Sequence, residues 1–193
     1  MAVDERWLVA GLGNPTRWYA GTRHNAGFLV ADRLAERHGA RWRGVTTRTA
    51  SFALDGRTVL LAEPQWSINL SGRPVAALLR RHQVPVERLL VIQDDLDFPF
   101  GAARLKRGGG PGGHNGARSV HTALGTADYA RLRVGVGRPP KGVRVSDFVV
   151  DRFSEQERQR MPELLDRCAD AVEAFVLRGL NRAQDVLHTA DAH

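Results

Sequence analysis

The chain has 193 residues, which suits one domain, and its 42% of hydrophobic residues exclude an intrinsically disordered chain. Lys and Arg number 28 against 21 acidic residues, and the resulting net charge of +7 favours a polyanionic partner. An arginine-rich genome would produce the same excess, so charge alone leaves nucleic-acid binding open.

Cysteine usage and hydropathy exclude several further classes of protein. The single cysteine, Cys168, cannot form an intrachain disulfide, and no CxxC or His/Cys cluster indicates a zinc site. Residues 1–13 lack the basic start and the long apolar stretch of a signal peptide. No apolar run approaches the roughly 20 residues that span a bilayer. We therefore expect a cytoplasmic protein without a zinc site or a membrane span.

Short apolar runs alternate with segments of helical spacing along the chain. In chain order they predict a strand over 7–11, a helix over 24–38, a strand over 57–62, a helix over 71–83, and strands over 89–92 and 131–136. This alternation predicts an α/β fold: one domain over residues 1–193, with a twisted, mostly parallel mixed sheet and helices on both faces.

A helical segment is predicted to close the chain, from about residue 154 to about residue 190. Ser154 and Glu157 have the spacing of a capping box, which marks a helix start. Pro162 falls inside the same segment, and it predicts either a kink or a later start.

The first motif, GLGNP over residues 11–15, follows the first strand and resembles the start of a dinucleotide-binding fingerprint. That fingerprint needs a third glycine where this chain has Thr16, and Pro15 precedes it. No helix is predicted there to receive a pyrophosphate. The motif therefore argues against a dinucleotide site.

His24 lies at a predicted loop-to-helix junction, and by itself it would be read as a structural histidine. Active sites collect at the carboxyl ends of α/β strands, where Asn14 follows the first strand and Asp94 and Asp95 follow the third. A carboxylate near an imidazole fixes its tautomer and makes it a better general base. The topology allows Asp94 to reach His24.

Two more motifs carry polar side chains. Asn69, in the sequence NLSG, either caps the following helix or hydrogen-bonds a substrate. The segment GGGPGGHNG, over residues 108–116, lacks the Lys-Ser/Thr ending of a P-loop and reads as an ordered functional loop. Its His114 and Asn115 open the next helix, where backbone N–H groups can face an anion.

Four cations flank this loop in sequence. Strand alternation places Arg104 and Lys106 on one side of the chain, and it does the same for Arg131 and Arg133. They are candidate phosphate clamps, and the alternative is a solvated strand face.

Together these motifs resemble the bacterial peptidyl-tRNA hydrolase family. The matching pieces, which occur in the family's order and spacing from residue 8 to about 150, are GLGNP, Tyr19, TRHNAGF, NLSG, DDLD, GGGPGGHNG and RLRVGVGRP. The resemblance implies an esterase that releases peptides from tRNA and so recycles tRNA from stalled or dropped-off peptidyl-tRNA. It also implies a monomer without a metal, an organic cofactor or an obligate protein partner.

The resemblance assigns roles at matching positions. His24 looks like the base that activates water, Asp94 like the acid that holds it, and Asn14 like the amide that distinguishes peptidyl-tRNA from aminoacyl-tRNA. The remaining positions are similar to substrate-contacting ones: Tyr19, Asn69, His114 and Asn115 on the peptide or tRNA side, and Arg104, Lys106 and Arg133 against the tRNA 5′ phosphate and acceptor stem.

Several positions depart from the family pattern. Thr16 replaces a usual glycine, and it would be strained there if that glycine needed positive φ. Ser67 stands where an aromatic residue is usual and cannot stack on a substrate, while strand alternation points Trp66 the other way. Gln93 and Pro111 are further changes.

These departures leave two alternatives to an active hydrolase. One is a catalytically weakened RNA-binding paralogue on the same fold. The other is a nucleotide-dependent α/β enzyme, which rests only on the weak Gly-rich matches.

Overall fold

A mixed six-stranded sheet forms the centre of the structure, a computed structural model that describes residues 5–189. The strands are β1 (Glu5–Gly11), β2 (Thr47–Leu54), β3 (Arg57–Pro64), β4 (Leu89–Asp95), β5 (Ala103–Arg107) and β6 (Ala130–Gly135). Their order across the sheet is β2-β3-β1-β4-β6-β5. The four inner strands are parallel, and the two edge strands pair antiparallel with their neighbours.

Helices cover both faces of this sheet, as predicted. They are α1 (Ala26–Arg37), α2 (Gly72–His82), α3 (Asn115–Leu124), α4 (Val145–Val150), α5 (Glu155–Arg178) and α6 (Leu180–Thr189). Helices α1, α5 and α6 pack on one face and α2 and α3 on the other, so each face has its own apolar core. The predicted fold class, a single α/β domain, is confirmed. Within residues 5–189, no helix has both the length and the apolar content needed to cross a bilayer.

The predicted strands are found, but the edge strand β2 was not predicted. All seven residues of β4 are buried, which explains its continuous apolar run. Most residues of β2 remain partly exposed, so it lacks such a run. A two-residue turn, Asp55-Gly56, joins β2 to β3 with φ of +47° and +77°. Asp-Gly is a common hairpin turn, so it was the feature of the sequence that could have indicated β2.

Helix α5 begins at the predicted capping box. The Ser154 hydroxyl accepts from the Glu157 N–H at 3.2 Å, and the Glu157 carboxylate accepts from the Ser154 N–H at 2.6 Å. The helix then runs through Pro162, so the later start is not observed. Because the box fixes the first turn, the proline cannot delay it. The predicted domain limits of 1 and 193, and the helix limit near 190, extend beyond the described residues and stay predictions.

Close packing at two glycines brings the carboxyl ends of β1 and β4 against the start of α1. A Cβ on Gly27 would lie 2.4 Å from the Ile92 carbonyl oxygen, and one on Gly11 would lie 2.4 Å from the Gly27 carbonyl oxygen. Only glycine allows α1 to approach β1 and β4 this closely. The turn over residues 23–25, directly before α1, is thereby held against the carboxyl end of β4.

Candidate active site

A buried carboxylate joins two histidines at the carboxyl end of β4. Asp94 is 3% exposed, and its Oδ1 lies 2.9 Å from His24 Nδ1 and 2.9 Å from His114 Nε2. His24 comes from the turn before α1, and His114 is the residue before α3. The expected contact between His24 and Asp94 is therefore present.

The hydrogen bonds of His114 determine which nitrogens carry protons. The Ala117 N–H donates to His114 Nδ1 at 3.1 Å, so that nitrogen is unprotonated and the proton of the neutral ring is on Nε2. His114 Nε2–H therefore donates to Asp94. His24 donates to the same oxygen through Nδ1–H, which leaves its Nε2 free to accept a proton.

Asp94 remains ionised at neutral pH despite its burial. Burial alone would raise the pKa of Asp94, but the imidazoles of His114 and His24 outweigh it and lower that pKa below the usual range. An ionised Asp94 can stabilise the positive charge that His24 acquires when it takes a proton.

The same three side chains resemble a metal-binding set, since their ligand atoms lie within 4.8 Å of one another. The nitrogens that face Asp94 are engaged as hydrogen-bond donors, however. Because His114 Nδ1 accepts from Ala117, its Nε2 carries a proton and has no lone pair for a metal. The arrangement therefore suits proton transfer better than metal binding.

Asn14 is held in one orientation by Asn25 and Ile68. The Asn14 N–H donates to Asn25 Oδ1 and Asn25 Nδ2 donates to the Asn14 carbonyl, both at 2.9 Å. The Ile68 N–H donates to Asn14 Oδ1 at 2.9 Å. The Nδ2 of Asn14 is thus left as a donor, and no hydrogen bond within residues 5–189 occupies it. Asn25 was not predicted, because nothing in its spacing distinguishes it from an ordinary helix-start residue.

These residues line a pocket of about 500 Å³. The predicted residues Tyr19, Asn69, His114 and Asn115 are also in its walls. Asn69 is not the cap of α2, since Ser71 occupies that position. The capping alternative is therefore wrong, and the exposed Asn69 is part of the pocket lining.

Helix α4, which was not predicted, forms a further wall through Val145, Val149 and Val150. Arg23 anchors this wall to the turn that carries His24. Its guanidinium donates to the Arg152 carbonyl at 2.7 Å and to Glu157 at 2.8 Å, beyond α4.

The departures from the family pattern fall mostly outside the side-chain hydrogen bonds of His24, Asp94 and Asn14. Thr16 does not have positive φ, so the expected strain is absent. Ser67 lines the pocket and Trp66 does not, but β3 ends at Pro64, so strand alternation is not the reason. Gln93 is buried at 1% exposure, and the Pro111 carbonyl accepts from the His114 N–H at 3.1 Å.

The four predicted cations lie on adjacent strands, with Arg104 opposite Arg133 and Lys106 opposite Arg131. Arg131 is 1% exposed and donates to the Gly108 and Gly109 carbonyls, so it supports the glycine loop. Its reading as a phosphate clamp is therefore wrong. Arg133 pairs with Asp95 at 2.5 Å.

The neighbouring arginines and partial burial change the pKa of Lys106. Burial and the neighbouring Arg131 and Arg133 lower the pKa of Lys106, while Asp95 acts in the opposite direction. Lys106 therefore lies among like charges that Asp95 offsets only in part.

The comparisons with known proteins agree with this geometry. The peptidyl-tRNA hydrolase family model matches residues 8–193. The chain is 53% identical to a peptidyl-tRNA hydrolase of Frankia casuarinae over 187 residues, covering 96% of this chain and 95% of that one. It is also 53% identical to the Nocardia farcinica protein of that name over 184 residues, covering 94% and 95%. The crystal structure of peptidyl-tRNA hydrolase from Acinetobacter baumannii superposes with a TM-score of 0.88 at 32% identity, covering 97% and 96%.

Proposed function

The chain belongs to the peptidyl-tRNA hydrolase family and is a carboxylic ester hydrolase, and on this basis we propose that His24 is its general base. The observation that carries the proposal is the shared Asp94 oxygen, which accepts from His24 Nδ1–H and from His114 Nε2–H. With both donors fixed, His24 Nε2 is the basic atom available to a water molecule in the pocket.

In the proposed reaction, His24 Nε2 takes a proton from water while the water oxygen attacks the ester carbonyl carbon. Asp94 stabilises the resulting imidazolium. The tetrahedral intermediate collapses by breaking the bond to the ribose 3′ oxygen, which receives the proton back from His24. The products are a free peptide carboxyl group and a tRNA with an intact 3′ hydroxyl.

The amides supply hydrogen bonds around the reacting ester. Asn14 Nδ2 is directed by the bond that its Oδ1 accepts from Ile68, so it is ready to donate to a carbonyl or oxyanion. Asn69 and Asn115 line the same pocket and suit the amide groups of a peptide. The aminoacyl group of an aminoacyl-tRNA offers fewer such groups than a peptide, so we expect a preference for peptidyl-tRNA over aminoacyl-tRNA.

The tRNA side of the substrate is assigned to Arg104, Lys106 and Arg133, whose charges suit the 5′ phosphate and acceptor stem. As part of the same proposal, the protein recycles tRNA in the cytoplasm. It acts there as a monomer, without a metal, an organic cofactor or an obligate protein partner.

The test is turnover of N-acetyl-aminoacyl-tRNA by the His24→Ala variant. Loss of the base should lower kcat by about 10²- to 10⁴-fold, while the circular dichroism spectrum stays that of the wild type. His38→Ala is the matched control, since His38 Nε2 also faces a carboxylate, Glu173, at 3.0 Å but lies outside the pocket. Near-normal turnover by His24→Ala would remove His24 from the mechanism.

A further inference from the structure

A second cleft, of about 650 Å³, lies between the loop joining β4 to β5 and helix α5. It is larger than the catalytic pocket and shares none of its lining residues. Its lining includes Arg104 from β5 and two arginines of α5, Arg160 and Arg167. The two α5 arginines outnumber the acidic residue of the lining, Glu163.

The two α5 arginines are available to an anion. Among residues 5–189, neither Arg160 nor Arg167 has a carboxylate partner within salt-bridge distance.

Arg167 and Arg160 both lie against Gly101 at the wall of the cleft. Arg167 donates to the Gly101 carbonyl, which fixes its guanidinium there. Its Nε is buried without a hydrogen-bond partner. Arg160 is exposed and lies against the same glycine, where an added Cβ would be 3.2 Å from its Nη2.

Aromatic rings connect this cleft to the cationic strands β5 and β6. The guanidinium carbon of Arg133 lies 4.7 Å from the Phe98 ring centroid, and that of Arg104 lies 5.7 Å from the same centroid. Arg160 stacks at 5.7 Å over Phe100, two residues further along the loop. A continuous row of arginines and phenylalanines thus runs from the proposed tRNA clamp into the cleft.

We propose that this cleft binds the sugar-phosphate backbone of the tRNA, beyond the acceptor end held by the clamp. An unpaired arginine presents a fork of donors that matches a phosphate group, and its stacking on a phenylalanine holds that fork in place. An RNA backbone supplies phosphates at regular intervals, so one that is bound at Arg133 can continue along the row to Arg160. The inference rests on the proposed function, since it assumes that tRNA is the substrate.

Two substrates separate the cleft from the catalytic site. One is N-acetyl-aminoacyl-tRNA, and the other is the same N-acetyl-aminoacyl ester on a short oligonucleotide ending in CCA, which cannot reach the cleft. In Arg160→Gln, KM for the tRNA substrate should rise about tenfold. The slope of log(kcat/KM) against log salt concentration should become shallower by about 1, the amount expected for one lost phosphate contact. Both kinetic constants for the short substrate should be unchanged.

Two further variants control for charge. Arg81→Gln removes the same charge from the last turn of α2, a helix on the opposite face of the sheet from α5, and should leave KM for both substrates unchanged. Glu163→Gln removes the negative charge of the cleft and should lower KM for the tRNA substrate alone.

The outcomes distinguish this inference from the proposed function. Failure of the wild type to cleave either substrate would overturn both. If the wild type cleaves both, equal behaviour of Arg160→Gln and Arg81→Gln on tRNA would overturn the cleft alone. Equal impairment of Arg160→Gln on the two substrates would also overturn it, because the effect would then not depend on the tRNA body.

Discussion

Two buried carboxylates near the carboxyl ends of parallel strands behave in opposite ways. Asp94 in β4 is 3% exposed and Glu63 in β3 is 0% exposed. Asp94 accepts hydrogen bonds from two imidazoles, and its pKa falls below the usual range. Glu63 has no well-formed hydrogen bond to either oxygen within residues 5–189, and burial raises its pKa to about 8.

The difference shows that partners, rather than burial, decide which carboxylate is charged in this molecule. The negative charge of Asp32 raises the pKa of Glu63 further, and Arg48, 3.0 Å away, offsets only part of the shift. Asp94 therefore keeps its charge because two hydrogen bonds are directed at it, whereas Glu63 receives none that compensates for its burial.

The largest expected effect comes from removing the charge of Asp94. Asp94→Asn has nearly the same shape but cannot stabilise an imidazolium, and its amide can reverse the tautomer of His24. We expect kcat for N-acetyl-aminoacyl-tRNA to fall by about 10³- to 10⁴-fold, as an equivalent change does in a His–Asp pair. The thermal midpoint measured alongside separates this from unfolding. A fall of less than about tenfold in a folded variant would contradict the role of Asp94.

The position of Asp94 could be predicted from the sequence, whereas the burial of Glu63 could not. The apolar run of β4 ends in Gln93-Asp94-Asp95, and the strand order of an α/β sheet brings such ends together. Glu63 gave no signal, because a lone acidic residue at a strand end is usually exposed. Its burial comes from tertiary packing.

Burial depth was equally unpredictable for the cations of β5 and β6. Alternation placed Arg131 on the same side of its strand as Arg133, but the side of a strand does not give the depth at which a residue lies. The glycine loop covers Arg131 and leaves Lys106 partly exposed. Similarly, the 6-residue helix α4 is too short for a helical period to be recognised, although it forms a wall of the pocket.

A smaller effect should appear when Glu63 is neutralised. Folded Glu63 keeps its proton up to a pKa of about 8, whereas an unfolded glutamate loses it above about pH 4.3. The folded state therefore binds more protons in between, and wild-type stability falls as pH rises through this window. Glu63→Gln should be more stable than the wild type by about 4 kcal/mol at pH 8 and by only about 1 kcal/mol at pH 5.

Urea unfolding at the two pH values measures this difference. Asp166→Asn is the control, because Arg33 and Arg37 lower the pKa of Asp166 to about 2. Asp166 is ionised at both pH values, so its substitution should change stability equally at pH 5 and pH 8. A pH-independent effect of Glu63→Gln would mean that Glu63 is already ionised in the folded protein.

The central claim is that Asp94 holds His24 with its Nε2 free to take a proton. Long-range ¹H–¹⁵N correlation spectra of the ¹⁵N-labelled protein, recorded where both rings are neutral, report which ring nitrogen carries each proton. The account predicts opposite tautomers: Nδ1–H for His24 and Nε2–H for His114. An Nε2–H tautomer at His24 would contradict it, because that nitrogen could not then accept a proton from water.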